Sequence, residues 1–217
     1  MTAVPFRTAA EASAALDRIA AHLRAGGLLA YPTETVYGLG SLARGPDLAA
    51  LAALKGRAEG KPFLLLVSDR RMAEAQGLAF TPAADALARA FWPGPLTLVL
   101  AGGGGRLPDA LRGPEGGIAV RWTAHPLIAR LVAALGEPLT STSANLPGEA
   151  PAPGADAIVR DFAGPIADGR LLVLDGGVLG NRPPSTVVDC TGHAARLVRA
   201  GALTAAELRA AVGHLAP

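Results

Sequence analysis

"PDLAALAALKGRAEGKPFLLLV", residues 46–67, contains one complete passage from helix to strand. Its first half is an Ala- and Leu-rich stretch that reads as a helix, with Lys55 and Arg57 at its C-terminal end. Its second half, "PFLLLV", is an apolar run of strand length bounded by polar residues, the pattern of a buried strand. Between them lie Lys55, Arg57 and Lys61, three cations within seven residues. Of the 20 Lys and Arg residues, only Lys55 and Lys61 are lysines, so a chain that otherwise uses arginine has placed both in this passage.

Outward from this unit the same alternation recurs. Thr8 is a fitting N-cap for an amphipathic helix through "AAEASAALDRIAAHLRAG", with Gly26 or Gly27 to stop it. "LLAY" is a short buried strand, and "PTETVYGLG" a turn-rich segment leaving its end. Helices are expected near 69–76 and 82–91. "PLTLVLAG" is a strand before the loop "GGGGRLPDALRGPEG", "GIAVR" a strand and "HPLIARLVAAL" a helix. "PLTSTSAN" is a strand running into a polar loop, and a Pro- and Ala-rich connector, 147–154, precedes a helix near 155–162. Strands at 171–174, 184–189 and 195–199 and a closing helix from Thr204 to about His214 complete the pattern. The alternation predicts an α/β fold with a mixed sheet. Neither side of the connector has a self-sufficient core, so the expectation is a single domain over 1–217.

Composition narrows the function classes. The net charge of +2 permits an anionic partner without demanding one. One cysteine rules out an intramolecular disulfide framework and CxxC metal knuckles. No basic segment leads into an apolar run at the N-terminus, and no run approaches the roughly 20 apolar residues of a membrane span. A soluble cytoplasmic protein with no membrane partner is expected. "AGGGGRLP" lacks the GK[ST] ending of a phosphate-binding P-loop. His22, His125, His193 and His214 have no metal-ligand spacing, and Cys190 follows a buried strand as a core thiol would. No nucleophile elbow or Ser-His-Asp order appears.

Polar segments placed where strands end remain. "TSTSAN", residues 140–145, holds Ser141, Ser143 and Asn145, although the chain has only six serines and two asparagines. Hydroxyls and exposed N–H groups at the carboxyl end of a strand hold phosphate or ribose. "PTET" adds Thr33 and Thr35, and "PPSTVVD" adds Ser185 and Thr186. Arg121 ends one strand and Arg199 another. Lysine is a point charge for phosphate and arginine a planar fork, and a polyphosphate would use both. The sum is a hydroxyl-lined cationic cleft with one acid, Glu34, in its motifs before Asp189. Such a cleft stabilises charge developing on a phosphoryl group without a general base.

These segments resemble the YrdC/Sua5 family of threonylcarbamoyl-AMP synthases. "YPTETVYGLG", "KGR…KPFLLLV", "FWPGPLTLVL", "IAVR…HP", "PLTSTSAN", "DGG" and "STVVD…LVRAG" follow the family order across nearly the whole chain. The resemblance implies a twisted mixed parallel and antiparallel sheet flanked by helices, with a large concave cleft, in the short form without a second domain. It implies that L-threonine, bicarbonate and ATP become threonylcarbamoyl-adenylate and pyrophosphate, for the t6A modification of tRNA. Other proteins complete that modification downstream. Mg2+ would arrive with ATP, with no dedicated protein ligands. By the same resemblance, Lys55 and Arg57 are catalytic. Lys55, Arg57, Lys61, Ser143, Asn145 and Arg199 bind ATP, and Thr33 or Thr35, Arg121, Ser141 and Ser185 bind threonine. Leu66 stands where many members carry histidine, and Gly117 where they carry a hydroxyl residue. Two rival readings are a non-enzymatic binder of double-stranded RNA or tRNA, and a paralogue making another carbamoyl or acyl adenylate. Aromatic residues are 4% of the chain, too few for a base-stacking platform, so RNA would be held by backbone contacts.

Overall fold

The computed structural model describes residues 3–56, 62–180 and 182–216. Arg57 and Lys61, both assigned to the nucleotide above, lie outside the described residues. The elements are β1 (Val4–Pro5), α1 (Ala9–Arg24), β2 (Leu28–Tyr31), β3 (Gly38–Gly40), α2 (Gly45–Lys55) and β4 (Leu64–Val67). They continue with α3 (Arg70–Ala75), β5 (Leu78–Ala79), α4 (Pro82–Phe91), β6 (Leu96–Gly102), β7 (Ile118–Trp122), α5 (Pro126–Leu135) and β8 (Leu139–Ser143). The last are α6 (Ala155–Asp161), α7 (Ala163–Ala167), β9 (Leu171–Asp175), β10 (Thr186–Asp189), β11 (Arg196–Arg199) and α8 (Ala205–Val212).

Local chemistry accounts for most boundaries. Thr8 caps α1 in a capping box, accepting from the Glu11 N–H at 3.2 Å while the Glu11 carboxylate accepts from the Thr8 N–H at 3.0 Å. Thr204 and Glu207 repeat the device at α8. Helix α2 ends where Gly56 turns left-handed at φ 52°, leaving Lys55 in the last turn. Strand β10 starts at Thr186 rather than at 184, because Pro183 and Pro184 have no N–H for the ladder.

The elements assemble into a mixed sheet in the order β1-β9-β2-β3-β8-β4-β7-β6-β10-β11, with β5 paired to β6. The pairs β1·β9, β2·β9, β4·β7 and β6·β10 are parallel, and the rest antiparallel. Four of these elements were not anticipated. Strand β3 lies inside the segment read as a turn, and β1, β5 and α7 are too short to carry a periodic signal. The 147–154 connector runs along the sheet, with Ala152 N–H donating to the Ala144 carbonyl at 2.8 Å.

Alternation along each strand sends neighbours to opposite faces. One face, with Leu28, Ala30, Leu39, Leu65, Val67, Leu98, Val120 and Val188, packs under helices α2, α4, α6 and α8 into the larger core. The other face is covered only in part. Helices α1 and α5 bury Leu29, Tyr31, Leu66, Leu139 and Leu174 with their own Ile19, Leu23, Ile128 and Leu131. Beyond that cover, the same face is open and forms the floor of a cleft.

Close packing at β3 fixes where this floor begins. A Cβ on Gly40 would lie 1.9 Å from the Thr140 carbonyl oxygen, so only glycine lets β3 approach β8 here. Gly40→Ala is expected to destabilise the fold by about 2–3 kcal/mol, read as a lowered urea midpoint at constant m value. An unchanged midpoint would mean that the strands separate without penalty.

Candidate functional site

The cleft floor is a set of cross-strand partners that share one face of the sheet. Gly38 of β3 pairs with Ser143 of β8, Ser141 of β8 with Leu64 of β4, and Leu66 of β4 with Arg121 of β7. Ala119 of β7 pairs with Val99 of β6, Thr97 of β6 with Val187 of β10, and Val187 with Arg199 of β11. Many of the side chains that line the cavity from this face are small or short, namely Gly38, Ala119, Ser141, Ser143 and Thr97. Hydroxyls from two strands, β6 and β8, and from the two loops that carry Thr33, Thr35 and Ser185 therefore line one cavity with the apolar Leu64 and Leu66.

Two connected chambers result. The inner one, about 360 Å³, is lined by Thr33, Thr35, Arg121, Ser141, Ser143, Ser185 and Arg199, all singled out from sequence. The outer one, about 730 Å³, is lined by the 150–153 connector and by Leu179, Arg182 and Pro183. The two share Thr35, Val36, Ser143, Pro184 and Arg199 at their junction. Thr97, Leu64, Ala119 and Val187 also line the inner chamber and were missed. They sit within strands read only as core, and the alternation of "PLTLVLAG", with Leu96, Leu98 and Leu100 buried, was the signal that set Thr97 on the opposite face from Leu98.

Arg121 is the buried cation of the floor, only 4% exposed. Its Nε donates to the Gly94 carbonyl at 3.1 Å and its Nη1 to Thr35 Oγ1 at 3.3 Å. Its Nη2 makes an ion pair with Glu34 Oε1 at 2.5 Å. Burial alone would raise the Glu34 carboxyl, but Arg121, the Thr123 hydroxyl and the Ala124 N–H together hold it below the usual carboxylate range. The two candidate threonines differ. Thr33 Oγ1 is spent within its own turn, donating to the Val36 carbonyl at 2.7 Å and accepting from the N–H groups of Thr35 and Val36. Thr35 Oγ1 is the hydroxyl that meets Arg121.

At the other wall, Ser185 Oγ lies 2.9 Å from Thr97 Oγ1, and Arg199 Nη2 donates to the Ser185 carbonyl at 2.8 Å and to its hydroxyl at 3.2 Å. Burial, and then the charge of Arg121, lower the Arg199 guanidinium from its ordinary value. An anion in the chamber would offset both effects by favouring the charged form.

Lys55 and Asn145 stand at the rim and line neither chamber. Lys55 is 7% exposed, and its Nζ donates to the Ser143 carbonyl at 2.9 Å, to Asn145 Oδ1 at 3.0 Å and to the Asn145 carbonyl. Ser143 Oγ donates to Asn145 Oδ1 at 2.5 Å. In this structure, then, Lys55 holds the polar loop of "TSTSAN" in shape from the end of α2. Cys190 is fully buried, and burial pushes its thiol up to about 12, which makes it the core thiol expected. Gly117 is explained by space, since a Cβ there would lie 2.5 Å from Val99 Cγ1 and 2.6 Å from Thr191 Cγ2.

The Sua5/YciO/YrdC family model, described as "Telomere recombination", matches residues 21–201. A threonylcarbamoyl-AMP synthase of Thiobacillus denitrificans is 40% identical over 183 residues, covering 84% of this chain and 94% of its own. One of Chromohalobacter salexigens is 42% identical over 184 residues, covering 80% and 92%. Among solved structures, Pyrococcus abyssi Sua5 complexed with L-threonine superposes with a TM-score of 0.88 at 31% identity. That alignment covers 100% of this chain but 63% of the archaeal one, so this chain spans less than two thirds of it.

His125, which follows the Arg121 strand, offers a test of the local geometry. Its Nδ1 caps α5 by accepting from the Ile128 N–H at 3.4 Å, which requires a neutral ring. Burial lowers its pKa from 6.5, while Glu34 opposes that shift. A depressed pKa means the unfolded chain takes up a proton first, so this contribution is complete above 6.5 and lost as pH falls through the native value. Thermal stability should therefore decline on acidification from pH 6.5, and His125→Asn, which keeps a cap acceptor, should flatten that decline. Parallel curves for the two proteins would contradict it.

Proposed function

The chain belongs to the Sua5/YciO/YrdC family, and we propose that it is a nucleotidyltransferase that makes threonylcarbamoyl-AMP and pyrophosphate from L-threonine, bicarbonate and ATP. The observation that carries this reading is the buried Arg121 guanidinium on a hydroxyl-lined floor, in an inner chamber that opens onto a larger one. The activity named for the bacterial relatives and the threonine in the archaeal neighbour support it.

On this reading the inner chamber takes the amino acid. Arg121 receives its carboxylate, Thr35, Ser141 and Ser185 surround its polar atoms, and Leu64 and Leu66 lie beneath its methyl group. Thr33 shapes the turn and Thr35 makes the contact. The amine attacks the carbon of bicarbonate-derived CO2, giving a carbamate and, overall, one water. A carbamate oxygen then attacks the α-phosphorus of ATP, the bond to the β-phosphate oxygen breaks, and pyrophosphate leaves. The nucleotide occupies the outer chamber and the junction, where Ser143 and Arg199 face its phosphates. Lys55 and Asn145 keep that loop in register with it, and the family pattern adds Arg57 and Lys61.

The chain's part in the chemistry is therefore positioning and electrostatics. Mg2+ enters as part of the MgATP substrate, where it draws charge from the departing phosphates. No group of three or more His, Cys, Asp and Glu suited to a metal occurs among the described residues, and Glu34 is committed to Arg121. The same reading makes tRNA the final beneficiary and downstream transferase proteins the recipients, in the cytoplasm. Among the described residues no helix is long and apolar enough to cross a membrane.

Pyrophosphate release from MgATP, measured with a panel of amino acids, tests the proposal. Release should need both L-threonine and bicarbonate, and release with no amino acid in the panel would overturn the reading. Arg121→Lys should raise the KM for threonine about tenfold or more, since lysine lacks the planar head that Gly94, Thr35 and Glu34 hold in place, with the KM for ATP little changed. Equal effects on both substrates would place the carboxylate elsewhere.

A further inference from the structure

Glu34 lines neither chamber, yet it is the acid nearest the proposed substrate carboxylate. A negative charge beside an anion-binding arginine works against that arginine's task, so its presence needs a reason. Net stability is a weak one, because desolvation of a buried ion pair consumes most of its Coulombic gain.

The geometry supplies a stronger reason. Glu34 sits in a clamp fixed from both ends. On its own loop, the Thr33 hydroxyl locks the backbone of residues 33–36 through three hydrogen bonds. Across the cleft, Glu34 Oε2 accepts from Thr123 Oγ1 at 2.5 Å and Oε1 accepts from the Ala124 N–H at 2.9 Å, both just beyond the strand that carries Arg121. Thr123 Oγ1 in turn accepts from the His125 N–H at 3.2 Å. The carboxylate thus joins the turn after β2 to the turn after β7, and its Oε1 meets Arg121 Nη2 at 2.5 Å. With Gly94 on Nε and Thr35 on Nη1, all three guanidinium nitrogens are engaged, by the Glu34–Thr35 loop on one side and by Gly94 on the other. Arg121 Nη2 is buried and lacks hydrogen-bond geometry to any partner, so the Glu34 contact directs it by charge.

We propose that Glu34 is a positioning residue, which holds the Arg121 guanidinium in one orientation so that the substrate carboxylate meets a positive charge already set in place. The proposal rests on the threonine-binding reading above. Two effects of removing Glu34 have opposite signs, which makes the idea decidable. If Glu34 mattered only as a competing charge, its loss would strengthen carboxylate binding and lower the KM for threonine. Acting by position, its loss frees a long side chain and raises that KM.

Steady-state kinetics of the full chain, with MgATP, bicarbonate and L-threonine, separate the cases. Glu34→Ala should raise the KM for threonine about tenfold or more, leaving the KM for ATP within about twofold. Glu34→Gln, which keeps an acceptor at Oε1, should restore most of the loss. Thr123→Val, which removes one support of Glu34 and leaves Arg121 untouched, should give a smaller rise in the same constant. It also decides the matter if Glu34→Ala fails to fold. A threonine KM that is unchanged or lower in the variants, or a proportional loss for both substrates, would overturn the proposal. Absence of turnover in the parent protein would instead overturn the functional reading, so the two failures are distinguishable.

Discussion

Strand alternation held in register across six strands is the constraint on which the site depends. Because Leu66 pairs with Arg121, Leu64 with Ser141, Gly38 with Ser143 and Thr97 with Val187, every one of these side chains is committed to the same face. A slip of one residue would turn Arg121 into the large core and present Val120 to the cleft. The face opposite is packed by Leu65, Leu98, Val120 and Val188. Burial of that side therefore fixes the polar side. Fold stability and the placement of the hydroxyls are one physical event, not two.

This explains why Arg121 can be both buried and useful. Its backbone belongs to a strand with neighbours on both edges, and its head is met by Gly94 from one segment and by Glu34 and Thr35 from another. A guanidinium so enclosed loses little freedom when an anion arrives, which is how preorganisation raises affinity without new contacts. Arg199 is the contrasting case. Its Nη2 is held by the Ser185 carbonyl and hydroxyl, and its charged form is disfavoured by burial and by Arg121. The inner chamber thus carries one cation with a fixed counter-charge and another whose charge an anion would stabilise.

Much of this was legible in the sequence because it is local. The helix starts at Thr8 and Thr204 and the apolar run ending at Val67 each follow from neighbouring residues. The hydroxyl segments "PTET", "TSTSAN" and "PPST" were visible as clusters, and the structure brings them around one cavity. Other features are set by distant partners. Strand β3 exists because β2 and β8 flank it, although its residues, Gly38, Leu39 and Gly40, have poor strand propensity. The contact of the Lys55 ammonium with the loop at 143–145, some ninety residues away in the chain, is equally beyond local pattern. Glu34 was noticed only as an isolated acid, since nothing local links it to Arg121 or Thr123.

The account turns on the claim that the floor of the inner chamber is an amino-acid site with Arg121 as its anchor. A crystal structure of the protein grown with L-threonine tests this most directly. The account predicts the amino acid's carboxylate at about 3 Å from the Arg121 guanidinium, with its methyl group over Leu66 and Thr35 Oγ1 in contact. Threonine seated in the outer chamber, or bound with its carboxylate away from Arg121, would contradict it.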